Sequence, residues 1–395
     1  MEMEHLYEVL RSIEGFIYPN EIELRWSILI VLYPYVTGLV AGAFILASLE
    51  KVFEIRDVRP TYRLSLLTAL AFLICAPLPL VFHITHPFRG FEIFLTPHLS
   101  SAMAVFGFVY IWYLMAILLI EIWLEYRKEI IEFSKINKGI KGFIYKILTL
   151  GVKEINEEIE DFDKRFGKFI AIIGIPSAIL LHGYVGFIFG SVKANPWWSS
   201  VIMPVIFLFS AMVSGIALVI FIYMVLNYLK GKEPSIPCLD AMAKYLLYSI
   251  IIDFSLEMLD LVQRIYEAEE FFDMFQILIK GKLFISLFIF QILIGAILPI
   301  LFLGYIRIFG SSDSAKKFTY FLVSVMVLIG IFATRWNVVI GGQLFSKSLR
   351  GLTIYKLGLI GREGIYASMG LLFLPFLILL FLIWLLPPYE KERRV

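Results

Sequence analysis

Asp253, Glu257, Asp260 and Arg264 follow one another at spacings of four, three and four in an otherwise apolar stretch. On a helix that spacing places them on one face. Hydrocarbon cannot solvate charge, so such a stripe reads as a path for protons, or as an ion-pair seam that fixes packing. Arg335 lies deep in another apolar stretch, where an ion pair with Glu257 or Asp260 is expected. Of the five histidines, His83, His86 and His98 fall at the ends of apolar stretches, His182 lies within one, and His5 belongs to a polar tail. A neutral imidazole can hydrogen-bond a carbonyl and take up a proton, because its ordinary pKa lies near working pH. The plain alternative for the first three is a helix-end histidine at headgroup level. Tyr33 and Tyr35 can bond the same kind of carbonyl, although tyrosines are common at membrane surfaces in any case. There is no Gly-rich phosphate loop, no Ser/His/Asp ordering and no HExxH, so hydrolytic chemistry finds no residues.

These side chains need elements that hold them in lipid. The 395 residues are 60% hydrophobic and 17% charged, with a mean hydropathy of +0.84. Soluble domains are nearer ~25% charged. Runs such as Leu371 to Leu386 are apolar on every face, which excludes the alternation of a β-barrel span. The chain reads as an all-α integral membrane protein of about nine transmembrane helices. They are placed at 26–50, 61–83, 98–126, 166–191, 199–229, 238–267, 282–305, 316–342 and 362–387. Residues 1–25 are polar, with Glu2, Glu4, Glu8, Glu14, Glu21 and Glu23, and do not read as a signal peptide.

Lys and Arg set the orientation. Connections 51–63 and 127–165 are rich in them, whereas 84–97 holds only Arg89 and 191–198 only Lys193. The rich connections belong in the cytoplasm of a plasma-membrane protein. The N-terminus is then outside, and the C-terminal tail with Lys391, Arg393 and Arg394 inside. Loop 342–361 dissents, because it lies outside yet carries Lys347, Arg350 and Lys356; docking of an acidic partner would explain it. Segment 127–165 mixes charge with Ile, Phe and Leu, and reads as an amphipathic connection on the inner surface or a platform for a partner. With this orientation no histidine reaches the inner side, so a di-haem pair is excluded and at most one outer haem is left. Cys75 and Cys238 are too few for an iron–sulfur cluster, which takes about four thiolates. A net charge of +2 gives nucleic acid nothing to bind.

A weak repeat divides the chain. Thr37-Gly38-Leu39-Val40-Ala41-Gly42 in the first span and Ser210-Ala211-Met212-Val213-Ser214-Gly215 in the fifth both follow a proline, Pro34 and Pro204. Small residues four apart let helices approach closely in lipid. The repeat suggests two four-helix bundles, 26–191 and 199–342, with a ninth helix and tail at 362–395 and an external segment at 1–25.

Three stretches together resemble the NrfD family, which includes the membrane subunit of polysulfide reductase. They are Trp26 to Leu49 with its core Tyr33 to Phe44; His86-Pro87-Phe88-Arg89 followed by Leu95-Thr96-Pro97 and Ser100-Ser101-Ala102-Met103; and Arg335-Trp336-Asn337-Val338-Val339-Ile340-Gly341-Gly342-Gln343. The last run looks most like the long DsrP-like or HybB-like members. The chain departs in having His86 where a glycine-arginine pair is usual, and in lacking the first helix of ten-span members. The resemblance implies two four-helix bundles, no bound haem or iron–sulfur cluster, and an exchangeable quinone site in the first bundle near the outer face. A ferredoxin-like iron–sulfur subunit would dock there, in front of catalytic or multihaem cytochrome subunits.

The leading expectation is thus a quinone-reactive subunit of a respiratory oxidoreductase. Menaquinone or menaquinol would bind near Tyr35, His83, His98 and His182, and Asp253, Glu257, Asp260 and Arg335 would carry protons. Two other classes stay open: a secondary transporter or ion-translocating subunit using the same carboxylates, and an anchor whose polar residues only stabilise packing.

Overall fold

A computed structural model describes residues 13–22, 24, 26–96, 98, 100, 101, 112–268 and 271–389. The chain is a multi-pass membrane protein built almost wholly of helices. We label the main ones α1 (Ile28–Lys51), α2 (Arg56–His83), α3 (Leu119–Ile136), α4 (Gly139–Leu148), α5 (Glu157–Gly190), α6 (Met203–Leu229), α7 (Ile236–Glu267), α8 (Ile285–Phe309), α9 (Asp313–Leu344) and α10 (Ile365–Leu385). Among the described residues, α1, α2, α5, α6, α8, α9 and α10 are each long and apolar enough to cross a membrane. Helix α7, with 32 residues, is as long as these but carries the Asp253–Arg264 stripe. The expected third span, 98–126, falls partly outside the described residues; its later part is a π-helical turn, Trp112–Leu118, that leads into α3.

Local chemistry sets the helix starts. Ser27, Asn156 and Ser312 each accept a backbone N–H of the first turn of α1, α5 and α9, filling donors the helix leaves open. Glu157, Glu158 and Glu160 add negative charge at the start of α5, where the helix dipole favours it.

Ion pairs gather at one end of the helices, here called the basic face. Lys51 of α1 meets Glu125 of α3 at 3.0 Å, and Arg63 of α2 meets Glu125 at 3.0 Å and Glu129 at 2.7 Å. Arg127 meets Asp163 of α5 at 2.8 Å, and Lys316 of α9 meets Asp240 of α7 at 2.7 Å. The segment 127–165 is not one surface helix. Helix α3 runs on to Ile136 and α5 starts at Glu157, both held by these pairs, and α4 is a separate short helix between them. Helix α4 hooks onto the end of α10: Lys141 Nζ donates to Trp384 O (2.9 Å), and Tyr145 OH donates to Leu385 O (2.6 Å).

At the opposite face, Glu14–Gly15 and Gly351–Leu352 form an antiparallel strand pair. Glu21 accepts from Ser346 and from the Lys347 N–H (3.0 Å), and Lys282 lies 3.6 Å from Glu14. The dissenting basic loop is therefore covered in part by acidic residues of the chain's own N-terminal segment.

The two repeat motifs meet each other. A Cβ on Gly42 would stand 2.0 Å from Ala211 O, and one on Gly215 would stand 2.3 Å from the Gly42 carbonyl carbon. The backbones of α1 and α6 thus touch where only hydrogen fits, the arrangement small-residue faces permit in lipid. Gly370 in α10 has nothing within 4 Å of its missing Cβ. Gly42→Ala is expected to cost about 1–3 kcal/mol through overpacking, while Gly370→Ala is neutral or stabilising by up to ~1 kcal/mol. Thermal unfolding of the detergent-solubilised variants checks the contrast.

Candidate functional site

The polar centre grows from the first residue of each motif. Thr37 Oγ1 donates to Tyr33 O (2.9 Å), so its oxygen is free to accept from His182 Nδ1 of α5 at 3.4 Å. Ser210 Oγ donates to Phe207 O (3.0 Å) and accepts from Arg335 Nη2 of α9. The same Nη2 lies 3.1 Å from His182 Nε2. Arginine is always a donor, so Nε2 must accept, and the ring proton sits on Nδ1, facing Thr37. The imidazole is neutral in this arrangement. Gly38 makes room for it, because a Cβ there would lie 3.1 Å from His182 Cε1. Phe207 floors the site: Arg335 stands 4.0 Å over its ring, and His182 stacks against it at 5.5 Å. His182 and Arg335 are both fully buried.

His182 and Arg335 occupy matching places in the two parts of the repeat. His182 comes from α5 and Arg335 from α9, and each is held by the hydroxyl that opens its own motif. They join across the α1–α6 crossing.

The expected ion pair between Arg335 and Glu257 or Asp260 is not formed. Glu257 accepts from Gln291 Nε2 (3.1 Å) and Thr334 Oγ1 (3.3 Å). Asp260 is taken by Arg264 and by Ser200, and Arg264 also donates to Trp197 O. Arg335 Nε and Nη1 have no hydrogen-bond partner among the described residues, nor has Asp253 Oδ1. Arg335 still lies within Coulombic reach of Asp253 and Glu257.

The stripe lines two small cavities that share Glu257, Gln291 and Thr334. One, of ≈ 10 Å3, also touches Asp253; the other, of ≈ 50 Å3, also touches Asp260, Arg264 and Asn337. A water needs about 10–15 Å3, so both are of water size. Beyond Glu257 the amides continue: Asn337 Nδ2 donates to Gln291 Oε1 (2.7 Å), Ser286 Oγ to Asn337 Oδ1 (2.5 Å), and Trp197 Nε1 to Asn337 O (2.7 Å).

Of the other expected site residues, Tyr35 lies within Coulombic reach of Arg335, whereas His83 and His98 are bonded elsewhere. Tyr35 OH donates to Leu328 O (3.2 Å), and its ring packs edge-on against Phe332 at 5.3 Å. His83 ends α2, with Nδ1 3.0 Å from Glu363 Oε1, just before α10; Nε2 has no partner among the described residues. His98 is exposed and bonds Ser100 Oγ at 2.7 Å. Residues 102–111, which come after it, lie outside the described residues. Sequence reasoning gave Thr37 and Ser210 only a place in the packing motifs, and no chemical role to Gln291, Asn337 or Glu363. The signal for Gln291 was legible, as a single amide in the long apolar run from Leu283 to Tyr305. Among the described residues, no three His, Cys, Asp or Glu side chains group to hold a metal.

The family model described as polysulphide reductase, NrfD, matches residues 19–347. A selenate reductase subunit of Mesobacillus selenatarsenatis is 29% identical over 385 residues, 94% of this chain and 87% of that protein. A putative dimethyl sulfoxide reductase membrane subunit of Halobacterium salinarum is 28% identical over 203 residues, 49% of this chain and 42% of that protein. Protein NrfD of Escherichia coli is 26% identical over 199 residues, 49% of this chain and 58% of that protein.

Thr37→Val strands the His182 Nδ1–H without an acceptor and is expected to cost about 1–3 kcal/mol. Thr37→Ser keeps the hydroxyl and should cost less. Denaturation midpoints of the two variants, measured side by side, test the tautomer assigned to His182.

Proposed function

The chain belongs to the polysulphide reductase NrfD family, and from that premise we propose that it is the quinone-reactive membrane subunit of a multi-subunit reductase. Its relatives include proteins named as a selenate reductase subunit and as a dimethyl sulfoxide reductase membrane subunit. The observation that carries the reading is the neutral imidazole of His182, buried in a membrane and held from both sides.

The residues suit a quinone. A bound quinol supplies two electrons and two protons, which need separate routes. His83, held at Nδ1 by Glu363, presents Nε2 as a proton acceptor near the face opposite the basic one. His182 is a second imidazole, deeper among α1, α5 and α9. Carboxylate-held and hydroxyl-held imidazoles have fixed tautomers, and a fixed tautomer is what directs a proton to one atom. Arg335 fixes positive charge beside His182, and its unpartnered Nε and Nη1 can hold a developing anion. Asp253, Glu257 and Asp260, along the two water-sized cavities, offer the proton an exit. Menaquinone is the quinone proposed, Tyr35 and His98 complete the proposed lining, and electrons leave to a ferredoxin-like iron–sulfur subunit ahead of catalytic or cytochrome subunits. Lys347, Arg350 and Lys356, in the loop between α9 and α10, give that subunit a basic landing.

The two cavities that share Glu257 along Asp253–Asp260 also favour a second reading, an ion-translocating subunit that needs no redox partner. Flux through vesicles holding this chain alone would support it.

His182→Ala is expected to lower quinol oxidation by the purified complex about 10²-fold or more, with co-purification of the partner subunits unchanged. Wild-type turnover in that variant would remove His182 from the site. His83→Ala and Glu363→Gln should act together, because each undoes the same pair.

A further inference from the structure

The basic face holds a second buried acid that the quinone reading does not use. Glu121, in the first turn of α3, is 1% exposed. Its Oε1 accepts from Tyr62 OH at 3.3 Å, and its Oε2 has no partner among the described residues. The cations that could neutralise it are engaged elsewhere: Lys51 pairs with Glu125 and lies over the Tyr62 ring at 5.5 Å, and Arg63 pairs with Glu125 and Glu129 and lies over Tyr126 at 4.7 Å. A buried carboxylate with one phenol donor is costly to charge, and a buried carboxylic acid has a proton to give.

Other buried hydroxyls on the two elements that carry Tyr62 and Glu121 are also unfilled. Ser65 Oγ, Thr68 Oγ1, Tyr113 OH and Tyr126 OH are buried, with no partner among the described residues. Serine and threonine in helices commonly bond back to the carbonyl three or four residues earlier, as Thr37, Ser48 and Ser177 do here. Ser65 and Thr68 do not. Tyr62, Ser65 and Thr68 stand three apart on α2, so they form one stripe about 9 Å long. Tyr113 and Glu121 stand two steps of four apart on the segment that passes from the π-helical turn into α3. Tyr62 lines a basin of ≈ 1190 Å3 on the basic face, with Lys51, Arg63, Glu125, Glu129 and Lys128. One phenol therefore touches both the open basin and the closed acid.

We propose that Glu121 is a proton-loading site, exchanging protons with the basic-face basin through Tyr62 and passing them inward along the Ser65, Thr68 and Tyr113 hydroxyls. It rests on the quinone reading, since the protons it carries are those that accompany each electron pair. One O–H bond breaks as another forms at every hop, and no electron moves on this path. It is separate from the Asp253–Asp260 stripe, which lies on α7.

Two measurements on the intact complex test it. A pH-jump infrared difference spectrum should contain a buried-carboxyl band that Glu121→Gln removes; identical spectra would overturn the proposal. In proteoliposomes, Glu121→Gln should lower turnover-coupled proton exchange at the basic face about tenfold or more, with the affinity for a quinol analogue unchanged; an unaltered proton stoichiometry overturns it as well. If the wild-type complex neither binds nor oxidises a quinol, the quinone reading fails, and the infrared comparison alone decides the role of Glu121. Should Glu121→Gln not assemble, Tyr62→Phe replaces it, with slowed exchange expected and wild-type exchange overturning the proposal.

Discussion

Backbone contact between α1 and α6 at Gly42 and Gly215 makes the polar centre. No side chain separates the helices there, so Thr37 and Ser210, which open the two motifs, are brought to either side of one narrow junction. His182 and Arg335 enter from opposite sides and find each other at 3.1 Å. Move the helices apart by the width of a methyl group and His182 and Arg335 would lose each other as partners. In hydrocarbon those partners cannot be replaced by water. Packing and chemistry are therefore one constraint here, met by glycine.

Two kinds of polar group emerge from this frame. Some are saturated: Glu125 with Lys51 and Arg63, and Asp240 with Lys316 and Tyr320. These read as fasteners, since breaking one would leave a partly buried charge alone. Others keep free capacity: Asp253 Oδ1, two nitrogens of Arg335, Glu121 Oε2 and the hydroxyls of Ser65, Thr68, Tyr113 and Tyr126. Native interiors leave few such atoms, and here they concentrate near the His182 junction and near the basic-face basin.

Much of the frame was legible in the sequence. Apolar runs placed the helices, small-residue motifs marked the crossing, and a spacing of four, three and four predicted the stripe on α7. The partners were harder. Arg335 was expected to meet a carboxylate on α7, yet it faces His182, because the α1–α6 contact brings α5 and α9 together and no local pattern encodes that. His83 was expected near a quinone, but nothing local to it encoded Glu363, 280 positions later in the chain, as its partner. Glu121 drew no notice, since one acid at a helix end resembles any surface acid until Tyr62 and the burial around it are seen.

Just 22% of the apolar window of the last helix is buried, and that side packs on α2, where Phe376 meets Phe72 edge-on at 5.3 Å. Lys141 and Tyr145 clasp its terminal carbonyls at one membrane surface, while at the other the residue just ahead of its first turn, Glu363, clasps an imidazole. Across 21 residues, roughly 30 Å, α10 thus joins the surface helix α4 on one side of the bilayer to the His83–Glu363 pair on the other.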